Sequence, residues 1–461
     1  MIEVTAEFLA RHDRPGPRYT SYPTAVEFTD AFGPDDYEER LASAAERSAD
    51  PLSLYVHLPF CQARCSFCAC HVVVAKRPEV AEAYLTRVVA EAALIADRLG
   101  ERRRLVQYHW GGGTPTHYAP DVLVDLHDSL LTYFDLDSDA EVAVEVDPRV
   151  TTFEHLAALV QVGFNRLSLG VQDLDSEVQR LIGRNQTRKQ TEVLYHQARH
   201  LGFESINLDL IYGLPGQDEG TLRRTLDAVI ALQPDRLAVY SFAFVPWMRP
   251  HQRRIDESLL PGAEAKFRML ATVVSTLTDA GYRYIGMDHF ALPNDELARG
   301  AAAGTLTRNF MGYTTRRGTD VVALGTSGIS DLGGAYAQNH RRLASYYQAV
   351  EAGRFPIERG YRLDDDDRIR RFVITELMCN GTVDLVASGS RYGIDGPSYF
   401  ADELAELSSP GGLVDEGVAT VTGPGVGVTE LGMLFVRRLA AVFDAHTARR
   451  TGEGPVFSTT V

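Results

Sequence analysis

The chain has 461 residues, 45% hydrophobic and 23% charged, with a formal net charge of −16. That length supports a large core and more than one typical domain. The acidic balance argues against a non-specific hold on nucleic acid or on an anionic membrane, since both need a basic face.

Met1 to Arg14 carries Glu3, Glu7 and Asp13 and no long apolar run, so no secretory leader is expected there. No apolar stretch approaches the ~20 residues of a membrane span. Residues 14–25 hold three prolines and no helical period, which predicts an extended arm. Its Arg18, Tyr19 and Tyr22 suit a cover over a site as well as a surface tether. A short helix is expected over 36–48. Strand patterns then fall at 52–57, 105–109, 141–147, 166–170, 205–213, 236–240 and 282–287. Helical patterns lie between them at 85–99, 120–133, 153–162, 175–183, 187–201, 219–231 and 263–279. This alternation predicts a parallel sheet with right-handed crossovers. The unusual residues sit where strands end: cysteines after the first, glycines after the second, Glu145 late in the third, Gln172 after the fourth and Asp209 late in the fifth. In a closed or partly closed β/α barrel these ends share one rim, the catalytic face. Beyond about Asp364 the alternation stops. Helices are expected at 365–380, 398–407 and 427–449, with short strands at 412–414 and 418–421, as a second, mainly helical domain. The expected organisation is an arm and short helix over 1–50, a barrel over 51–300, a connecting segment completing the active site over 301–363, and the helical domain over 364–461.

Four of the five cysteines, Cys61, Cys65, Cys68 and Cys70, lie within ten residues at C-x3-C-x2-C-x-C spacing. This is not a secreted disulfide framework; reduced thiols in a cytoplasmic protein, available to a metal, are expected. Zinc held by four thiolates is the simplest metal reading, but structural zinc sites usually draw their cysteines from two separated pairs. The spacing of the first three suits a loop around three corners of a [4Fe–4S] cluster. Three close ligands and a loosely placed fourth thiol suggest one iron left open. A plain core cysteine cluster is the remaining alternative.

C-x3-C-x2-C after a first strand resembles the signature of the radical S-adenosylmethionine (SAM) superfamily. The motifs go further: Arg18-Tyr-Thr-Ser-Tyr-Pro-Thr-Ala25, Tyr55-Val-His-Leu-Pro-Phe-Cys61, His109-Trp-Gly-Gly-Gly-Thr-Pro-Thr116, Glu145-Val-Asp-Pro148, Gly170-Val-Gln-Asp173, Asp209-Leu-Ile-Tyr-Gly-Leu-Pro215 and Gly286-Met-Asp-His-Phe-Ala291. Together they resemble the oxygen-independent coproporphyrinogen III oxidase family over nearly the whole chain. Cys70 separates the sequence from the related heme-chaperone branch, which typically lacks that cysteine. The resemblance implies an α/β fold with a partial (β/α)6-type radical SAM barrel, a [4Fe–4S] cluster on Cys61, Cys65 and Cys68, and a first and a second bound SAM. It implies cleavage of the first SAM to a 5′-deoxyadenosyl radical, with Tyr55, Phe67, Gly112, Glu145 and Ile329 around that molecule. Gly113, Thr114, Gln172, Arg184, Asp209 and Ala243 would hold the second. Tyr55, Cys70, Glu145, Phe310 and Met311 are the expected catalytic positions. An external electron donor such as flavodoxin or ferredoxin, a small-molecule substrate and a monomer are expected. Taken without the resemblance, Glu145 and Asp209 could be rim ion-pair partners, Tyr55 and Phe67 core, the triple glycine a tight turn and His57 a satisfied histidine. Cys379 is expected to be buried structure.

The sequence departs from the family pattern where the substrate is expected. Asn309-Phe310-Met311-Gly312-Tyr313 has methionine for the usual glutamine. Phe242-Ala243-Phe244-Val245-Pro246 has phenylalanine for histidine. Gly381 replaces a phenylalanine, and Ser458-Thr-Thr-Val461 lacks the usual arginine. Such swaps make a site more apolar and predict another substrate. The first expectation is therefore an offshoot that uses the second SAM as a methylene or methyl donor to an unsaturated carbon of a flat, apolar substrate, giving methylation or cyclopropanation in natural-product biosynthesis. The alternative is a coproporphyrinogen III oxidase that decarboxylates two propionates in heme biosynthesis. A non-enzymatic heme carrier or cluster-bearing module is a third reading, which Cys70 and the second-SAM set argue against.

Overall fold

The structure is a computed structural model and describes residues 4–449 and 457. Six parallel strands form its centre: β1 (Leu52–Leu58), β2 (Arg104–Gly112), β3 (Asp135–Val146), β4 (Arg166–Gln172), β5 (Ser205–Tyr212) and β6 (Arg236–Ser241). They are buried on both faces, so they read as near-continuous apolar runs, as parallel strands do. The crossover helices Pro78–Leu99, Pro120–Leu130, Phe153–Gln161, Arg188–Leu201 and Glu219–Leu232 cover the outside. Side chains of β2 to β6 all reach one interior cavity, so the sheet is curled into a partial barrel.

Among the described residues the sheet holds twelve strands, more than the alternating pattern predicts, in the order β12-β11-β10-β9-β1-β2-β3-β4-β5-β6-β8-β7. Here β7 is Arg283–Gly286, β8 His289–Ala291, β9 Asp320–Leu324, β10 Ile329–Leu332, β11 Ala335–Asn339 and β12 Ile357–Arg362. Only β9 continues the parallel set, beside β1. The predicted strand at 282–287 exists, but as the outer arm of a hairpin with β8, and β8 runs antiparallel to β6. Gly286 (φ 139°) and Met287 (φ 52°) reverse the chain there too tightly for a crossover helix.

The C-terminal region opens on the helix Asp365–Asn380, capped by Asp364. Its small sheet differs from the expected one. Ala419–Thr422 pairs with Gly425–Val428, which pairs with Thr382–Asp384, and residues 412–414 form turns after Gly411 (φ 74°). The helical pattern from 427 begins at Glu430, because the Thr429 hydroxyl caps Gly432 and ends the strand before it. Ser458 to Val461 lies outside the described residues.

The arm is buried rather than tethered at the surface. After a helix at Ala6–His12, Tyr19 and Tyr22 are 6% and 2% exposed. The Tyr19 hydroxyl donates to Asp444 at 3.0 Å, Tyr336 donates to the Tyr22 carbonyl at 3.1 Å, and Arg308 donates to the Arg18 carbonyl at 2.6 Å. The arm thus joins barrel to C-terminal region. Among the described residues no helix is long and apolar enough to cross a membrane.

Candidate active site

The cysteine loop follows β1 and is fastened at several points. Ser66 N donates to the Ile182 carbonyl at 3.0 Å, and Arg64 donates to the Val72 carbonyl at 2.5 Å. Gln252, fully buried, donates to the carbonyls of Phe67 and Ala243, each at 3.1 Å, and accepts from Val245 N at 2.7 Å. It clamps the cysteine loop to the loop after β6. Sequence reasoning missed it, because a lone glutamine in an irregular stretch carries no local signal.

Cys61, Cys65, Cys68 and Cys70 line one cavity of about 420 Å³ with Phe67, Gly112, Gly113, Thr114, Glu145, Gln172, Arg184, Asp209 and Ala243. Each of the first three thiols has its own polar neighbour. Thr114 Oγ1 lies 3.4 Å from Cys61 Sγ, and Arg149 and Arg184 donate to Cys65 Sγ at 3.5 and 3.8 Å. The Cys70 thiol donates to Cys68, which holds Cys68 down at about 7 and pushes Cys70 well up. Among the described residues no three His, Cys, Asp or Glu side chains converge tightly enough for a single metal ion. Thiols spread around a cavity suit a multi-iron cluster instead, and hydrogen bonds to its sulfurs are among the features that tune it. Arg149 was also missed; its one signal is its position just after Asp147-Pro148, where it salt-bridges Asp147.

The glycine turn ends β2 against the same cavity. A Cβ on Gly112, whose φ is 106°, would stand 2.3 Å from the His57 ring. One on Gly113 would meet the Pro59 carbonyl carbon at 2.5 Å. The triple glycine is therefore a packing requirement that brings backbone up to the site. Gly112 N donates to Glu145 at 3.0 Å, and His109 lies 3.2 Å from the other carboxylate oxygen. Burial pushes the Glu145 carboxyl up, but these two partners outweigh it and hold it below the usual range. Asp209 receives hydrogen bonds from Ser168 and Asn207, both at 2.9 Å, yet burial, with the Glu145 charge adding to it, pushes it up to about 6. Gln172 sits at φ 72° where the β4–β5 register shifts, a backbone conformation uncommon for a residue with a side chain.

Not every expected residue reaches this cavity. Tyr55 donates to His57 Nδ1 at 3.0 Å, because His57 Nε2 donates to the His71 carbonyl at 3.1 Å. His57 is thus a satisfied, buried histidine. Phe310 and Ile329 lie in an apolar cluster with Tyr336, away from the cavity lining. Met311 lines an adjoining cavity that also carries Arg166, Arg236 and His289 and shares Glu145, Asp209 and Tyr240. Phe244 lines a third cavity together with Arg18, Lys266 and Arg437. Neither replacement makes its surroundings apolar. Gly381 lines none of these cavities; it caps the helix Asp365–Asn380 at φ 68°. Cys379 is buried in that helix, as expected.

The Radical SAM superfamily profile matches residues 55–229. The chain is 43% identical to the oxygen-independent coproporphyrinogen III oxidase of Pseudomonas aeruginosa, over 96% of each chain. It is 39% identical to that of Synechocystis, over 98% of this chain and 97% of the relative. The solved structure of the Escherichia coli coproporphyrinogen III oxidase, described as a radical SAM enzyme, superposes with a TM-score of 0.89 at 41% identity, over 93% of this chain and 97% of that one. With these likenesses running from the buried arm through the thiol cavity to the C-terminal helices, the chain belongs to the oxygen-independent coproporphyrinogen III oxidase family, radical SAM enzymes that work with a [4Fe–4S] cluster and SAM.

Proposed function

We propose that this protein is itself an oxygen-independent coproporphyrinogen III oxidase. The observation that carries the reading is the full-length match to enzymes of that name, at 38–43% identity. The offshoot reading, methylation or cyclopropanation, rested on the apolar replacements Met311, Phe244 and Gly381. Two of these stand in cavities that keep arginines, and the third caps a helix. The comparisons favour decarboxylation over it. The non-enzymatic reading gives way to membership of an enzyme family.

The reaction would remove from each of two propionates one carbon dioxide, one hydrogen atom, which the adenosyl fragment of cleaved SAM would take up, and one electron, which would pass to an external electron acceptor, leaving a vinyl group. When bound, the cluster supplies the electron that splits a carbon–sulfur bond of SAM. Cys61, Cys65 and Cys68 would hold it, with Arg149 and Thr114 steadying the sulfurs. Around the first SAM we assign Tyr55, Phe67, Gly112, Glu145 and Ile329, and around the second Gly113, Thr114, Gln172, Arg184, Asp209 and Ala243. Support for most of this set is the shared cavity; Tyr55 and Ile329 stand outside its lining. Within it, Glu145, ionised at neutral pH, suits an ammonium or hydroxyl, and Arg184 suits a carboxylate. Cys70, Phe310 and Met311 remain assigned near the substrate. A small external electron-transfer protein and a monomeric state complete the reading.

Reconstituted protein, reductant, SAM and coproporphyrinogen III are the test. Release of carbon dioxide with formation of protoporphyrinogen is expected. Porphyrinogen left intact, with SAM-derived carbon moved onto another unsaturated compound, would reverse the choice.

A further inference from the structure

The loop after β6 lies against the cysteine loop. His251 Nε2 donates to the Cys68 carbonyl at 2.8 Å, next to the Gln252 bond to the Phe67 carbonyl. On this loop Trp247 and Met248 are 51% and 52% exposed. Arg249 follows them, and Arg253 and Arg254 end the short helix Pro250–Arg254, both exposed. Among the described residues these three arginines make no ion pair. Arg64, on the cysteine loop itself, is exposed beside them. Burial, and after it the charges of Arg64, Arg249 and Arg254, hold the His251 ring below its ordinary value, so the cations crowd one spot.

Position sets this patch apart from the cavities. Trp247 edges the third, cationic cavity, which meets the thiol cavity along Ser241, Phe242 and Ala243. Met248, Arg249, Arg253 and Arg254 line none of the three cavities and face outward. Charge sets it apart as well. The chain has 62 Asp and Glu against 46 Lys and Arg, yet residues 61–77 and 242–255 hold no Asp or Glu. Asp256 stands just past the short helix, where its carboxylate accepts from Ser258 N and Oγ. Most of so acidic a chain repels an acidic protein, which settles only where carboxylates are missing and arginines gather. Exposed tryptophan and methionine beside arginine are the side chains that protein interfaces favour.

We infer that Trp247, Met248, Arg249, Arg253 and Arg254 form the docking surface for a small acidic protein that carries single electrons to the cluster site beneath. This rests on the reading of the chain as a coproporphyrinogen III oxidase, whose reaction consumes such an electron for each SAM split. That electron leaves the carrier's reduced flavin or iron–sulfur centre, which is oxidised by one, and ends in the broken carbon–sulfur bond. It is distinct from the electron that each propionate gives up to the external acceptor. Electron transfer falls off steeply with distance, so the carrier must settle over the cysteine loop. The His251 and Gln252 bonds tie the docking loop to that loop's backbone.

The test uses the reconstituted full chain as wild type, Trp247→Ser and the double variant Arg253→Glu/Arg254→Glu. A purified acidic flavodoxin and a purified acidic [2Fe–2S] ferredoxin are the probes. Calorimetric titration gives the affinity for each oxidised probe without turnover. Carbon dioxide release gives the apparent KM for each reduced probe and, with dithionite in its place, the activity that bypasses docking. At least one probe is expected to bind wild type, more weakly as salt rises, since salt screens exposed charges. Trp247→Ser and the double variant should each weaken that binding, and raise the probe's KM, by about tenfold. With dithionite the double variant should match wild type within about twofold, and its KM for coproporphyrinogen III should not move. If neither probe binds wild type, or the double variant binds as wild type does, the docking surface is overturned, and turnover with dithionite leaves the activity standing. A double variant that keeps probe affinity but loses coproporphyrinogen affinity makes the patch a substrate entrance and overturns it too. If wild type releases no carbon dioxide even with dithionite, the reading as an oxidase falls, while the titration still decides the docking surface.

Discussion

The thiol cavity and the cationic cavity share a wall but are assembled in opposite ways. The first draws its thiols from one ten-residue loop and its backbone from the glycine turn, with Glu145 and Asp209 on β3 and β5, either side of β4. The second takes Arg18 from the arm, Lys266 from the helix Ala263–Asp279 and Arg437 from the C-terminal region. Local chain geometry places the groups of the first, while tertiary packing alone places those of the second. The first should therefore fail by loss of a group, and the second by loosening of the contacts that gather its groups.

The sharpest break is Cys65→Ala. It should abolish iron retention and activity while far-ultraviolet circular dichroism stays as in wild type. A full iron complement would mean that Cys70 ligates in its stead. Arg149→Gln comes next. It leaves the ligands but removes a hydrogen bond to Cys65 Sγ, so iron loss to a chelator should be about 10–100-fold easier, as for other neighbours of metal ligands. An unchanged iron-release curve would reduce Arg149 to an ion-pair partner of Asp147. Gly112→Ala tests the turn itself. With φ at 106° and the His57 ring in the way, it should cost about 1–3 kcal/mol in urea unfolding.

His57 adds a pH dependence to the same region. Burial holds it down at about 4, against an ordinary value of 6.5. The folded state therefore prefers the neutral ring. The stability this contributes is complete above pH 6.5 and is lost as pH falls toward 4. Between pH 7 and pH 5 the loss should be about 2 kcal/mol, and unfolding of His57→Gln should lack that part of the slope. Equal slopes in both proteins would contradict it. The smallest effect belongs to the arm that carries Arg18 to the other cavity. Tyr19→Phe removes one buried hydrogen bond between the arm and Asp444, so stability should fall by about 1 kcal/mol. A loss of several kcal/mol would show that the arm is held by far fewer contacts than its burial implies.

Much of the site was legible because its signals are local. The spacing of Cys61, Cys65 and Cys68 survives any packing, and a strand that ends in Gly111-Gly112-Gly113 must turn there. Phe310 and Ile329 pack with Tyr336 in an apolar cluster, a neighbourhood that no local motif announces. Phe244 and Met311 read as apolar in sequence because the arginines beside them are remote along the chain. Gly381 read as a lost aromatic, whereas its φ of 68° makes it a helix cap.

By itself, the sequence determined the alternating α/β core, the cysteine-rich loop after the first strand and the carboxylates late in the third and fifth strands. Those depend on periods of two and 3.6 residues and on spacing within one loop. The tertiary structure alone decided that the sheet extends to twelve strands with antiparallel edges, that the arm is buried, and that Arg18, Lys266 and Arg437 meet. A contact between residues hundreds of positions apart leaves no periodic trace along the chain. It exists only where the packed core, which must fill its space and satisfy its polar groups, brings the segments together.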